Sequence, residues 1–292
     1  MCHRSQTIRT PSGLFRDGNR QWLTPLSTHP VAVRSRFVES CDPTNVDLVC
    51  GGTPSDRENQ PVVQFSTVSK LESAIDALQK FYGALPKPPR DPFTLFVWEV
   101  MSVHSTPRKR DAALAALKRI RALTPDAMWR APQKKLEESV ALAGPYLENR
   151  LTALRTGVDL FRRAPDLPKI LAGPLPAARR ALKPFPQLGE AGAHRMLLFA
   201  ANHPILPVDA RLNRVGRRLG YGQPATDFKK QARSVEAAIS AELPDSAEAY
   251  RRAFLYLSHH GAATCTDADP HCTICPLLKD CPEGQRRAGA RG

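Results

Sequence analysis

Residues 185–220 read FPQLGEAGAHRMLLFAANHPILPVDARLNRVGRRLG. A tight turn, Pro186-Gln187-Leu188-Gly189, opens the stretch. An apolar helix is predicted over about 190–202, with Met196, Leu197, Phe199 and Ala200 on its buried side. Pro204 and Pro207 break it and lead to one acid, Asp209. A second helix then starts and carries Arg211, Arg214, Arg217 and Arg218. A turn whose backbone amides open a helix is a ready anion site. A carboxylate at a helix start beside four arginines sits where a substrate polyanion would lie.

The rest of the chain agrees. Its 292 residues suffice for one large domain or two small ones, and 42 Lys and Arg against 28 acids leave a net charge of +14. Such an excess implies a polyanionic partner, and arginine-rich helices suit phosphate better than a membrane. Nothing approaches the roughly 18 apolar residues of a membrane span. The N-terminal MCHRSQTIRT has no apolar core of a secretory signal. A cytoplasmic, nucleoid-associated, monomeric protein is expected, and the 185–220 stretch reads as a DNA-binding hairpin that feeds a catalytic acid.

Residues 1–65 are rich in Ser, Thr, Pro, Arg and Asp and read as a disordered N-terminal extension, with strand-like alternation only over 61–65. Helical periodicity begins near residue 66, where Ser66 or Thr67 serves as cap, and Gly83 ends it. After a proline-rich linker, Asp91-Pro92 is an N-cap and first helical residue. The helix it starts is almost wholly apolar, hence central and buried, and only Glu99 and His104 interrupt it. A carboxylate there is costly unless paired or functional. Glu99 is thus either half of a structural ion pair with an arginine, a solvent-facing residue, or a working acid. Further helices follow to residue 259, with turns at Gly144-Pro145-Tyr146 and before residue 175. The fold class expected is all-α.

Seven cysteines is an odd number, and four of them, Cys265, Cys272, Cys275 and Cys281, fall within 17 residues as C-x6-C-x2-C-x5-C. In a reducing compartment this favours metal over disulfides. Four thiolates suit zinc or a [4Fe-4S] cluster, and spacing alone does not choose between them. Cys2, Cys41 and Cys50 stand apart in the first 65 residues.

Two motifs carry a resemblance. Phe185 to Ala193 and Val208-Asp209-Ala210-Arg211-Leu212-Asn213-Arg214-Val215 resemble the helix-hairpin-helix and following Asp of the endonuclease III superfamily of DNA glycosylases. The cysteine spacing, preceded by His260-Gly261, resembles that family's iron–sulfur loop, and Asn149-Arg150 after Gly144 and Tyr146 fits a third family feature. The resemblance spans roughly residues 66–281. It implies two helical subdomains on either side of a DNA-binding cleft: a helical barrel with the hairpin (91–205), and a cluster domain made of 66–90 plus 206–285. The basic tail beyond it (286–292) reads as disordered, with phosphate contacts through Arg286, Arg287 and Arg291 as the alternative. It implies a structural [4Fe-4S] cluster on the four cysteines, with zinc second. The hairpin residues Gln187, Leu188 and Gly189, with Arg211 and Arg214, are then candidates for phosphate contact. The partner is double-stranded DNA with a damaged or mispaired base.

The same likeness assigns chemistry. Asp209 falls on the family's catalytic Asp, where it would stabilise positive charge growing on the sugar and orient water, besides capping its own helix. Trp98-Glu99-Val100-Met101 resembles the segment of adenine DNA glycosylases that holds their catalytic Glu, so Glu99 would be a general acid whose pKa apolar burial raises. His104 falls where the family has a Gln that fills the gap left by the flipped base, or is a plain surface or core histidine. Two departures matter. Gln187 replaces a hairpin Gly, and Ala191 stands where bifunctional members carry their Schiff-base Lys. A monofunctional glycosylase is expected, without the adenine enzymes' further C-terminal domain, since 11 residues follow Cys281. A glycosylase/lyase with another amine, such as Lys183, and a DNA-binding protein without catalysis are the rival readings.

Overall fold

The computed structural model describes residues 69–289. The expectations for 1–65, including a strand over 61–65, and for Ser66 and Thr67 as caps lie outside the described residues. Among those described, the chain is helical without a strand: α1 (Lys70–Tyr82), α2 (Pro92–Ser102), α3 (Pro107–Arg119), α4 (Pro125–Arg130), α5 (Gln133–Ala141), α6 (Leu147–Arg163), α7 (Leu167–Ala172), α8 (Leu175–Leu182), α9 (Gly189–Arg195), α10 (Ala210–Arg218), α11 (Phe228–Ser240), α12 (Ala247–Ala263) and α13 (Pro282–Gly289).

Local chemistry sets most of the helix starts. Ser69 caps α1 by accepting the Glu72 amide. Asp91 accepts the Thr94 amide at 2.8 Å with Pro92 in the first turn, and Thr106 and Thr124 cap α3 and α4 in the same way. Each such cap stabilises a helix by about 1 kcal/mol.

The apolar run of α2 is the centre of the first helical group, packed on α3 and α6. Phe93, Phe96, Phe161 and Phe185 meet there, edge to face in every pair but the tilted Phe96–Phe161, with Phe185 5.3 Å from Phe96 and 5.1 Å from Phe161 between ring centroids. Each buried ring contributes roughly 1.5–3 kcal/mol. Since Phe185 directly precedes the 186–189 turn, this aromatic knot also fixes where the hairpin emerges.

The helix predicted over 190–202 is shorter and not uniform. α9 runs on into a π-helical segment, Met196–Ala200, and Asn202 turns left-handed at φ +60°. A π turn shifts the hydrogen-bond register and frees carbonyls. Buried Arg251 of α12 donates to the Leu198 carbonyl at 2.7 Å and to Asn202 Oδ1, and the His203 amide takes the Leu197 carbonyl. A guanidinium borrowed from another helix is what the sequence pattern did not reveal.

α10 lies against α12 and α12 against α1. A Cβ at Gly261 would sit 2.9 Å from both the Cβ and the carbonyl oxygen of Arg211, so only Gly lets α10 approach this closely. Tyr82 Oη, at the end of α1, meets His260 Nδ1 at 2.8 Å and Thr264 Oγ1 at 2.6 Å. The cysteine loop follows, and α13 closes it. Residues 286–289 of the expected unstructured tail are helical instead: Glu283 holds Arg286 and Arg287 as ion pairs within α13, and their hydrogen bonds bring its carboxyl down to about 2. Residues 290–292 lie outside the described set.

Candidate active site

Asp209 is the N-cap of α10. Its Oδ1 accepts the amides of Arg211 (3.0 Å) and Leu212 (2.9 Å), and Oδ2 accepts Ser258 Oγ at 3.2 Å. The carboxylate is thereby aimed, yet its side chain stays 26 % exposed. It lines a cleft with Leu188, Gly189, Ala191, Arg195 and Glu236. The hairpin turn, Ala191 and the expected acid thus share one wall. Ser258 was not singled out in the sequence. It lies 49 residues away on α12, where a lone Ser in a helix carries no signal.

The turn itself is unusual. Gln187 adopts φ +64° and Gly189 φ +55°. A non-glycine residue pays for the left-handed region, by roughly 1–2 kcal/mol. The Gln187 amide offsets part of this by donating to the Asn149 carbonyl at 2.9 Å. The first turn of α9 has no side-chain cap, so the amides beside Leu188 and Gly189 are not served by a capping side chain.

Glu99 is 3 % exposed. Both of its oxygens are taken by one guanidinium: Arg195 Nε donates to Oε1 at 2.6 Å and Nη2 to Oε2 at 2.7 Å. Gly192, one turn before, makes room, since a Cβ there would lie 3.3 Å from Oε2. This selects the ion pair among the readings of Glu99. Both oxygens are thereby engaged and Glu99 is not among the residues that line the cleft, so a general-acid role would require this pair to open. Arg195 Nη1 lies 3.8 Å from Asp209 Oδ2, and the guanidinium sits 5.7 Å from the Phe254 ring centroid. Burial opposes the Arg195 charge, but Glu99 and Asp209 outweigh it and raise its pKa. Arg195 is the cleft residue that sequence reasoning missed. The signal available was a buried carboxylate in need of a cation, together with a lone Arg one turn past Ala191.

Two acidic and basic neighbours complete the cleft. Burial pushes Glu236 up to about 7, and burial also lowers the pKa of His194, whose Nδ1 is 3.6 Å from Glu236 Oε1. Lys229 lines the same cleft with its Nζ 3.7 Å from Glu190 Oε2. Lys183 is exposed at the end of α8 and is not part of that lining.

Of the α10 arginines, Arg211 and Arg217 are exposed. Arg214 is redirected from the expected phosphate contact: its Nη2 donates to the Gly261 carbonyl (2.6 Å) and its Nε to the Cys265 carbonyl (3.0 Å). Arg218 does the same with the Thr266 carbonyl at 2.6 Å and the Cys265 sulfur at 3.2 Å. Both tie the cysteine loop to α10. His104 is exposed at φ +48° and lies against Tyr146, itself at φ +67°, with 5.2 Å between centroids and the rings tilted by 53°. Arg150, 1 % exposed, donates to the Val103 carbonyl at 2.5 Å and to the Gly144 and Pro145 carbonyls, so one guanidinium joins the two loops that present this pair.

Cys265, Cys272, Cys275 and Cys281 are free thiols that line one pocket with His260. No group of three or more such side chains among the described residues is arranged as around a single ion. Burial pushes the Cys275 thiol up to about 11 and raises Cys281 as well. Four converging sulfurs of this kind become thiolates only against a cationic centre. The donor set is four soft sulfurs, a chemistry that suits a [4Fe-4S] cluster or zinc.

No family model matches the chain. Among curated proteins it is 26 % identical over 208 residues to an endonuclease III of Treponema pallidum (strain Nichols), covering 70 % of this chain and 92 % of the relative. It is 27 % identical over 198 residues to an endonuclease III of Bacillus subtilis (strain 168), covering 63 % and 85 %. Among solved structures, a trapped endonuclease III–DNA covalent intermediate superposes with a TM-score of 0.59 at 23 % identity over 75 % of this chain and 97 % of the other. A thermostable thymine-DNA glycosylase gives 0.56 at 16 % identity, over 74 % and 97 %. The chain thus shares its all-helical fold with these structures and is similar in sequence, over most of their length, to two endonuclease III proteins.

Proposed function

We propose that the chain is a DNA glycosylase of base excision repair that hydrolyses the bond between a damaged or mispaired base and its sugar, without strand cleavage. The observation that carries this is the wall shared by Asp209 and Ala191. A carboxylate fixed by two amides and a hydroxyl, yet open to a cleft, is suited to stabilise an oxocarbenium-like sugar and to steer water onto C1′. An alanine at the amine position leaves no Schiff base to form there. The duplex would lie between the 91–205 barrel and the 66–90 plus 206–285 cluster domain, with its phosphates on the hairpin amides at Gln187, Leu188 and Gly189 and on Arg211. The nucleotide must leave the stack to reach Asp209, and the His104–Tyr146 pair stands ready at the surface as the filler of the gap. The four cysteines would hold a [4Fe-4S] cluster, which folds the loop between α12 and α13 and has no part in base release.

A second reading rests on Lys229. This lysine lines the cleft, and an amine there could attack C1′ in place of the missing one. Base release from a panel of duplex oligonucleotides, with and without hot alkali, separates the two. Breaks only after alkali support hydrolysis alone. Breaks without alkali that borohydride traps, and that Lys229→Met removes, support the lyase. Tight binding with no base release from any member, unchanged by Asp209→Asn, points to a binding protein.

A further inference from the structure

Cleavage of the glycosidic bond leaves an electron pair on the base nitrogen, which an enzyme can meet with a proton or with a fixed positive charge. Resting on the glycosylase reading above, we infer that this site uses a fixed charge: Arg195 is a catalytic residue that holds the departing base as its anion, and Glu99 is the positioning residue that aims it.

Three observations support the assignment. Arg195 follows Ala191 by four residues on one helix, so the two occupy the same face, and the cation lost at 191 is regained one turn on. Its Nε and Nη2 are spent on Glu99, while Nη1 makes no hydrogen bond within the described residues and lies 3.8 Å from Asp209 Oδ2, too far for one. A guanidinium has five N–H donors, so this nitrogen keeps two for a ligand. Finally, Arg195 and Asp209 line the same cleft. A sugar whose C1′ faces Asp209 brings its base nitrogen and the adjoining ring acceptor towards Nη1.

The step balances without an acid. The C1′–N bond breaks and its electron pair stays with the base, spread onto the acceptor that Nη1 holds. Asp209 stabilises the cationic sugar, water adds its oxygen to C1′, and Asp209 takes the proton that water loses. The base anion collects a proton from solvent after release, and Asp209 returns its own. A base that departs only after ring protonation gains nothing from a fixed guanidinium, so the device also discriminates among bases.

The test uses the intact protein in single-turnover base release. The substrates are duplexes that carry the base it removes, and the same base with a more acidic, halogenated ring. Arg195→Met should slow the parent base by about 100-fold or more and the better leaving group by clearly less, with DNA affinity within about three-fold. Because Arg195→Met strands a buried carboxylate, the double variant Glu99→Leu/Arg195→Met is measured beside it, and both are checked for unfolding by melting. Glu99→Gln keeps one acceptor for the fork, so it should cost about ten-fold or less. The wild-type rate should not fall tenfold per pH unit above neutrality. Equal losses on both bases, a Glu99→Gln variant as dead as Asp209→Asn, or such an alkaline fall would overturn the proposal and return Glu99 to the role of acid. A wild type that binds DNA and releases no base at all instead sinks the glycosylase reading and this proposal with it.

Discussion

At the scale of single residues, capping and chemistry separate cleanly at Asp209. Asparagine caps helices about as well as aspartate. Asp209→Asn should therefore leave the melting temperature within a degree or two while base release drops by about 10²–10³. A variant that loses both would make Asp209 a structural residue only. Glu99 behaves in the opposite way. Glu99→Ala leaves the Arg195 guanidinium buried and unpaired, a change that costs about 3–5 kcal/mol and should show directly in denaturant midpoints. Glu236 adds a dependence on pH. Burial lifts its folded pKa to about 7 from an ordinary 4.5, so the folded protein binds its proton more tightly than the unfolded chain does. Its contribution is complete below about pH 4.5 and is lost as pH rises through 7. Melting temperatures from pH 5 to 8 should fall more steeply in the wild type than in Glu236→Gln, and parallel curves would refute the assignment. The N-cap position of Asp209 was legible in the sequence because it is announced locally, by a loop with two prolines and a helix start. The fate of Glu99 was not, because its partner lies 96 residues away and periodicity reports burial without naming what is buried alongside.

At the scale of elements, the helices followed from their caps and apolar stripes, and errors gathered where a distant side chain alters the backbone. The π segment after α9 is tolerated because Arg251 of α12 satisfies it. α13 is held by a Glu283 pair that a count of basic residues hides. Gln187 is a case in which local rules do give the conformation: the turn needs a left-handed residue, and the chain places a non-glycine there. Gln187→Gly should relieve backbone strain but surrender the bond to Asn149 and stiffness of the unfolded chain, so stability should move by less than about 1 kcal/mol. A larger loss in thermal or chemical unfolding would mean that the side chain, not the backbone angle, secures the hairpin. Gly261 has no such slack. Gly261→Val forces α10 from α12 at the point where Asp209 receives Ser258, and should cost several kcal/mol along with activity.

At the scale of the whole molecule, the net charge of +14 set the expectation of a polyanion, and the structure narrows which cations are free to meet it. Arg214 and Arg218 are committed to the cysteine loop, whereas Arg211 and Arg217 are exposed. Replacing the exposed pair with alanine should reduce the slope of log affinity against log salt by about 2. An unchanged slope in binding titrations would place the duplex elsewhere. All-helical architecture and the cysteine centre could be read from the chain. The division of labour among arginines could not, because four cations on one helix look alike until their acceptors are known.

The bond between Tyr82 and His260 joins positions 178 residues apart. During synthesis at roughly 5–20 residues per second, α1 leaves the ribosome about ten seconds or more before its partner exists. Leu71, Ile75 and Leu78, all at most 2 % exposed in the finished protein, must wait in water for that time. The apolar stripe of α1 thus stays uncovered until α12 has emerged, and α12 decides when the nascent chain stops exposing it.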